Sequence, residues 1–409
     1  MMLPPLSLYI HIPWCIKKCP YCDFNSHALN GDIPETRYIE RLLEDLRYQM
    51  AYAGGRKIHS IFFGGGTPSL MSSDAIARLL DYVSPLTNGE ETEITLECNP
   101  GTLDALKTSG WKKAGVNRLS IGVQSLQNKH LASIGRIHNA DEARRMINTA
   151  RDAGFDNINL DLMYGLPGQS LDSAMMDLQQ ATDFLPEHLS WYQLTLEPNT
   201  YFYSHPPKLP DEDLIWDIQN EGASQLTQCG YTRYEVSAWA RYDPVKFRSL
   251  SCQHNLNYWQ FGDYIGLGAG AHGKISLSSG RVYRTAYPRM PETFLQIAQL
   301  NEREKPDNGD LVLPGVRSRL LTEEDLISEF LMNSLRLRNG FLAMDFTEKT
   351  GLPIEVLSDF LSAGASRGLL VMKPSTEQSA REFSTAEQRI MTTDKGFDHL
   401  DELLTLAIR

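Results

Sequence analysis

Long apolar runs are missing from this chain of 409 residues. No stretch approaches the roughly 20 apolar residues that a membrane-spanning helix needs, so no bilayer span is expected. The opening Met1-Met2-Leu3-Pro4-Pro5-Leu6-Ser7 carries neither the basic nor the apolar segment of a secretory signal. Cations are in deficit: 39 Lys and Arg stand against 51 Asp and Glu, a formal charge of −12. A phosphate backbone calls for concentrated Lys and Arg, so nucleic acid is not an expected partner. Cysteine is scarce, with six in all, which speaks against a disulfide-stapled secreted scaffold. Together these absences point to a cytoplasmic protein, with transient peripheral membrane contact left open. A single core stops growing at about 250–300 residues, so more than one domain is expected. Whether the chain is a monomer or a dimer is not legible.

Three of the six cysteines stand together. Cys15, Cys19 and Cys22 lie in His11-Ile-Pro-Trp-Cys-Ile-Lys-Lys-Cys-Pro-Tyr-Cys-Asp-Phe24, a CxxxCxxC spacing just after a strand-like run. Structural zinc prefers four ligands in paired spacings, and neither His11 nor His27 completes such a set. A disulfide would leave one thiol over. Three thiolates suit a four-iron cluster that keeps one iron free of protein ligands, where S-adenosylmethionine can chelate. A pure electron carrier closes its cluster with a fourth cysteine, and the next local place for one, position 24, holds Phe24.

The first 230 or so residues alternate short β runs with amphipathic helices. Strands are expected at Leu6–Pro13, Ile58–Phe63, Glu93–Cys98, Arg118–Val123, Asn157–Met163 and Leu189–Leu196. The intervening helices are expected at Glu35–Ala53, Ser72–Tyr82, Thr102–Ala114, Ala140–Ala153, Ser170–Phe184 and Asp211–Gln228. Such β-then-α units demand parallel strands with right-handed crossovers. Either a partial barrel or an open doubly wound sheet fits, and both put chemistry at the strand C-termini. Functional-looking residues at five successive strand ends favour an α/β partial (β/α)6 barrel of TIM type over 1–240. An aromatic-rich extension with a linker at Pro306–Pro314 fills 241–314. Thr322-Glu323-Glu324-Asp325 then reads as a capping box opening a mainly helical, winged-helix-like unit over 315–409, with Pro374–Ser384 as a polar loop.

Gly64-Gly65-Gly66-Thr67-Pro68 closes the second strand, where glycines let backbone groups approach a ligand; a tight turn is the plainer reading. Beside a cysteine loop, the run suits the amino and carboxylate groups of a methionine moiety. Glu97, Gln124 and Asp161 sit at equivalent strand ends, and buried carboxylates need partners. They read as a lining for ribose hydroxyls, an ammonium or a sulfonium. Arg136, in Gly135-Arg136-Ile137-His138-Asn139, pairs a carboxylate or forms a surface ion pair. Cys252-Gln253-His254-Asn255-Leu256-Asn257-Tyr258-Trp259 offers imidazole, thiol and flat rings, which suit an iron porphyrin. From composition alone a packing role is the stronger reading. Cys98 and Cys229 read as buried core thiols.

The run from Tyr9 to Cys22, with GGGTP, ECNP, GVQS, GRIHN and NLDLMYGLPGQ, resembles the radical-SAM family in its oxygen-independent coproporphyrinogen III oxidase branch. The likeness covers most of the chain. It implies a [4Fe–4S] cluster on Cys15, Cys19 and Cys22, with S-adenosylmethionine bound by Tyr9, Gly65, Gly66, Thr67, Glu97, Gln124, Arg136 and Asp161. The oxidases themselves carry a further cysteine where this chain has Phe24, and a longer segment before the first strand. CxxxCxxCxF with His254-Asn255-x-x-Tyr258-Trp259 is instead similar to the haem-chaperone relatives of that branch. That resemblance implies haem handling by His254, Tyr258 and Trp259, and transfer to haem-requiring, respiratory proteins. Radical decarboxylation of coproporphyrinogen III and radical methyl transfer to haem stand as the alternatives.

Overall fold

A computed structural model describes residues 3–102, 105–297, 311–374 and 387–407. Six strands run parallel in sequence order: β1 (Leu6–Ile12), β2 (Ile58–Gly65), β3 (Glu93–Cys98), β4 (Arg118–Gln124), β5 (Ile158–Tyr164) and β6 (His188–Gln193). Between them lie α1 (Glu35–Met50), α2 (Ser73–Val83), α3 (Ala105–Ala114), α4 (Ala140–Asp152) and α5 (Leu171–Thr182), and α6 (Glu212–Gln228) follows β6. Each expected strand and helix of this region is found, with ends displaced by a few residues; positions 103 and 104 lie outside the described residues.

Local chemistry explains the helix starts. Asn139 and Glu142 form a reciprocal capping box at α4, and Ser170 with Ser173 does the same at α5. Gly154 follows α4 at φ +85, a left-handed position that a Cβ would disfavour. The β1 side chains Leu6, Leu8, Ile10 and Ile12 are buried in the main core with Leu42 and Leu46 of α1. Burial on both faces is what parallel strands under helices require.

The region expected to be an extension builds both edges of the same sheet. On the β6 side lie β7 (Tyr231–Arg233), β8 (Ala238–Asp243) and β9 (Arg248–Ser249), with β8 antiparallel to β6. On the other side β10 (Asp263–Leu267) pairs parallel with β1, followed by antiparallel β11 (His272–Ser276), β12 (Val282–Ala286) and β13 (Arg317–Leu320). Among the described residues β1 and β6 are not paired, so the barrel is partial. The glycine-rich run after Tyr264 ends β10 at Gly266-Leu267 and then turns over 268–271 into β11. A Cβ on Gly266 would lie 1.9 Å from the His272 carbonyl oxygen, so glycine is what lets β10 and β11 meet.

Asp263 opens β10 and ties the added strands down. Its buried carboxylate accepts from Lys274 Nζ at 2.8 Å, Arg56 Nη1 at 2.6 Å and the Ser276 amide at 2.7 Å. Burial alone would raise its pKa, but Lys274 and Arg56 hold it below the ordinary carboxylate range.

The C-terminal unit has its own core, with Phe330, Phe346 and Ile390 among its buried residues. It contains α8 (Glu323–Ser334), α9 (Ala343–Thr350) and α10 (Ser358–Ser366). Its sheet holds β14 (Phe341–Leu342) and the pair β15 (Leu370–Pro374) and β16 (Gln388–Thr392). Thr322 accepts from the Asp325 amide at 3.2 Å, as the capping pattern predicts. Most of the expected linker (306–310) and the expected polar loop (375–384) lie outside the described residues. No described helix is long and apolar enough to cross a membrane.

Replacing Asp263 with Ala leaves Lys274 buried without its counter-charge, which costs about 3–5 kcal/mol. Urea unfolding of that variant checks this; an unchanged midpoint would contradict it.

Candidate functional site

The C-terminal ends of β1 to β5 converge on one mouth. β1 delivers the thiol loop, whose start is held by a short parallel pairing of Trp14–Cys15 with His27–Ala28. Cys15 is buried and Cys19 and Cys22 are half-buried, while Phe24 is exposed beside them. The Cys22 amide donates to the Cys19 carbonyl at 3.2 Å, which turns the loop back on itself. Burial raises the pKa of Cys15 and of Cys22; hydroxyl bonding counters it, from Thr67 and Ser26 for Cys15 and from Ser26 for Cys22.

Arg136 is half-buried and forms no surface ion pair among the described residues: it donates to the Gly122 carbonyl at 2.7 Å and places Nη1 3.5 Å from Cys19 Sγ.

The glycine run packs directly under this loop. A Cβ on Gly66 would lie 2.6 Å from the Trp14 carbonyl oxygen, and Gly65 adopts φ +114 against the His11 ring. The Gly65 amide donates to Glu97 Oε2 at 3.2 Å, and Thr67 is buried next to it. Asp161 accepts from Ser120 Oγ at 3.2 Å and from Asn159 Nδ2 at 2.8 Å. Gln124 stands at φ +67 at the end of β4 and accepts from the Tyr192 hydroxyl at 3.1 Å. A non-glycine residue in that left-handed region, at a strand end in the mouth, is a mark of function.

Tyr9 lies on β1 opposite Phe62 and Gly266. Its hydroxyl is 3.0 Å from His11 Nδ1, and His11 Nε2 is 2.8 Å from the Asn25 carbonyl. That carbonyl can only accept, so Nε2 carries the proton and Nδ1 accepts from Tyr9. Asn25 in turn donates to the Ala269 and Arg289 carbonyls, each at 2.9 Å, joining the thiol loop to the glycine-rich turn after β10.

The sequence reading missed His11, Asn25, Ser120 and Tyr192. His11 and Asn25 flank the cysteine motif and were within reach; Ser120 and Tyr192 had no local signal. Cys98 is buried as expected, but Cys229 is exposed at the end of α6.

The mouth holds a pair of half-buried acids. Burial, then the charge of Asp161, pushes Glu97 up to about 8. Asp161 is raised by burial, with Asn159, Ser190, Ser120 and Arg118 pulling the other way. Two neighbouring carboxyls suit a positively charged ligand such as an ammonium or sulfonium. The donor set, three thiols on one loop beside the Arg136 guanidinium and the glycine cradle, suits a [4Fe–4S] cluster with a chelating methionine moiety, although among the described residues no three His, Cys, Asp or Glu side chains are grouped to hold a metal ion.

The HNLNYW segment is placed elsewhere. It forms α7 (Gln253–Trp259), pinned by Glu93 Oε1, which accepts from the Gln253 and His254 amides at 2.9 and 3.2 Å. His254 is buried beneath Tyr9 and Phe62, with Nδ1 3.1 Å from Ser60 Oγ and Nε2 2.9 Å from the Tyr258 hydroxyl. Burial, then His59 and Arg118, push its pKa down to about 3. Both ring nitrogens of His254 are thus engaged, by Ser60 and by Tyr258. Tyr258 and Trp259 line a cavity of about 220 Å³ with Phe261, Tyr264 and Lys274. That is below the roughly 300 Å³ at which ligand pockets begin. The Arg336 guanidinium sits over the Trp259 ring at 4.3 Å.

Comparison with known proteins places this geometry. Residues 9–181 match the Radical SAM superfamily and residues 321–371 the HemN C-terminal domain. Heme chaperone HemW of Escherichia coli is 48% identical over 369 residues, covering 90% of this chain and 92% of that one. The chain belongs to the HemW family. Heme chaperone HemW of Haemophilus influenzae is 47% identical, covering 99% of this chain and 98% of its own. The solved coproporphyrinogen III oxidase HemN of Escherichia coli shares the fold, with TM-score 0.75 and 22% identity over 99% of this chain and 90% of that one. The HemW match spans the thiol mouth, the HNLNYW segment and the C-terminal unit together.

Glu97 gives a signed pH prediction. Its folded value of about 8 lies above the ordinary 4.5, so the folded state holds a proton that the unfolded chain has lost. Its contribution to stability is intact below about 4.5 and declines as pH rises towards 8. A Glu97→Gln variant should melt with a flatter pH profile across that window and at a higher temperature at pH 8. Parallel slopes would refute the assignment.

Proposed function

We propose that this chain carries haem to haem-requiring acceptors, respiratory proteins among them, using a [4Fe–4S] cluster and S-adenosylmethionine as fixed parts. The observation that carries the cofactor set is the mouth, where the strand C-termini bring Arg136 beside Cys19 and the glycine run beside Glu97. Cys15, Cys19 and Cys22 hold the cluster, which supplies an open iron and one-electron chemistry when bound. Tyr9, Gly65, Gly66, Thr67, Glu97, Gln124, Arg136 and Asp161 surround S-adenosylmethionine. The glycine backbone takes the methionine end, and Glu97 and Asp161 balance its positive charge. Arg136 stands beside Cys19, and His11 and Asn25 hold the loop against β1 and β10.

The haem role is supported by the chaperone names of relatives at 47–48% identity over nearly the whole chain. Phe24, where the oxidase branch has cysteine, supports it further. His254, Tyr258 and Trp259 take part only once α7 leaves Glu93, which breaks the two amide bonds to that carboxylate. Haem uptake at that segment therefore needs an opening of α7, and acceptors at a membrane are reached by peripheral contact. The fold shared with coproporphyrinogen III oxidase keeps decarboxylation as the competing activity.

Cys19→Ser should lose the cluster, checked by iron and sulfide content after anaerobic reconstitution; full content would sink the cluster assignment. The reconstituted chain, given haem and then S-adenosylmethionine and reductant, should show a haem absorption band that shifts and then persists. Bleaching would make haem a substrate, and no shift would return the chain to the oxidase class. His254→Ala should reduce haem retained after gel filtration, and unchanged retention would place haem away from α7.

A further inference from the structure

The end of the sheet opposite the thiol loop carries a surface that this reading does not use. β8 and β9 form a hairpin with Tyr242 opposite Ser249 and Asp243 opposite Arg248. Asp243 Oδ1 accepts from the Val245 amide at 2.9 Å and the Lys246 amide at 3.1 Å, which fixes the tip. The tip closes through Phe247 at φ +49. Its side chains therefore stand outward: Val245 is 82% exposed, Phe247 80% and Tyr242 56%.

Leu185, 61% exposed, stands on the turn entering β6. The Arg241 amide of the hairpin donates to the Glu187 carbonyl at 3.0 Å, so leucine and hairpin share one end of the sheet. Single exposed apolar residues are ordinary, but three within six positions and a fourth on the adjoining turn make a patch. Arg241, Lys246 and Arg248 flank them, and the one carboxylate among them, Asp243, is already engaged by the turn.

We propose that this hairpin tip, together with Leu185, docks on an anionic lipid surface. Aromatic and aliphatic side chains enter the headgroup boundary while Lys and Arg reach the phosphates. The shape favours lipid, because a convex tip offers no groove to a peptide. The charge favours it as well: the hairpin gathers three cations in a chain of net charge −12, and a locally cationic projection is what an anionic surface attracts. Docking by this end, at the start of β6, leaves the thiol mouth at the strand C-termini facing away from the bilayer. The proposal rests on haem delivery only for its purpose; the site stands on the hairpin alone.

The test is co-sedimentation of the full chain with vesicles of phosphatidylcholine alone and of phosphatidylcholine with phosphatidylglycerol. Sedimentation velocity without vesicles runs alongside. The chain should bind the anionic vesicles at least tenfold more tightly and lose binding as salt rises. Lys246→Gln with Arg248→Gln, and separately Val245→Ser with Phe247→Ser, should each weaken it about tenfold, with unchanged melting. Binding equal in both variants and the parent, or absent in the parent, overturns the proposal. So does self-association that the Val245 and Phe247 changes abolish without any vesicle binding, since a second copy would then be the occupant. Haem titration of the same preparations separates the two readings, because vesicle binding without haem binding removes the chaperone and leaves the docking site.

Discussion

The pairing of β1 with two strands far from it in the chain is the constraint on which the rest depends. β1 lies parallel to β2 on one side and to β10 on the other. Through β2 the glycine cradle comes to lie under the thiol loop. Through β10 the turn at Ala269 reaches Asn25, and Asn25 locks His11 and with it Tyr9. If β10 loosened, the loop bearing Cys15, Cys19 and Cys22 would lose its outer wall. The buried Asp263, Lys274 and Arg56 set at the start of β10 thus acts on the site from the far end of the same strand. Such a set is costly to break at any one member.

Electrostatics links the two ends of the barrel interior. At the mouth, Glu97 is raised by burial and by the charge of Asp161, and Arg118 pulls Asp161 the other way. At the other end, Arg118 is buried near Glu93 and Cys252, and Cys252 Sγ donates to Glu93 at 3.4 Å. The same Glu93 carboxylate holds α7 by its first amides.

The fold gives the three functional regions separate places. The thiol mouth is at the strand C-termini, α7 closes the interior beneath Tyr9, and the apolar hairpin projects where β6 begins. A haem carrier of this build would do its cofactor chemistry, its cargo holding and its surface docking on different faces. The link between the mouth and α7 is short, since the Tyr9 ring lies 6.4 Å from both Phe62 and His254, which stack on each other at 5.1 Å. Movement of α7 would be felt at Tyr9, and through Tyr9 at His11 and the loop.

Local chemistry made much of this legible in advance. The three thiols, the glycine run, the strand-end carboxylates, the alternating β/α units and the Thr322 cap are each set by residues close in sequence, where spacing and propensity act directly. The fate of Arg136 was not legible, because its neighbour Cys19 is 117 positions away. Nor was that of His254, whose nitrogens are claimed by Ser60, on a different strand, and by Tyr258, one helical turn on. The strand at Asp263–Leu267 was not expected, because its pairing with β1 joins residues more than 250 positions apart. The sequence alone determined which groups could do chemistry and in what order the strands would come. Tertiary structure decided which of those groups are free to act, because burial and long-range hydrogen bonds, unlike spacing, depend on what the rest of the chain places beside them.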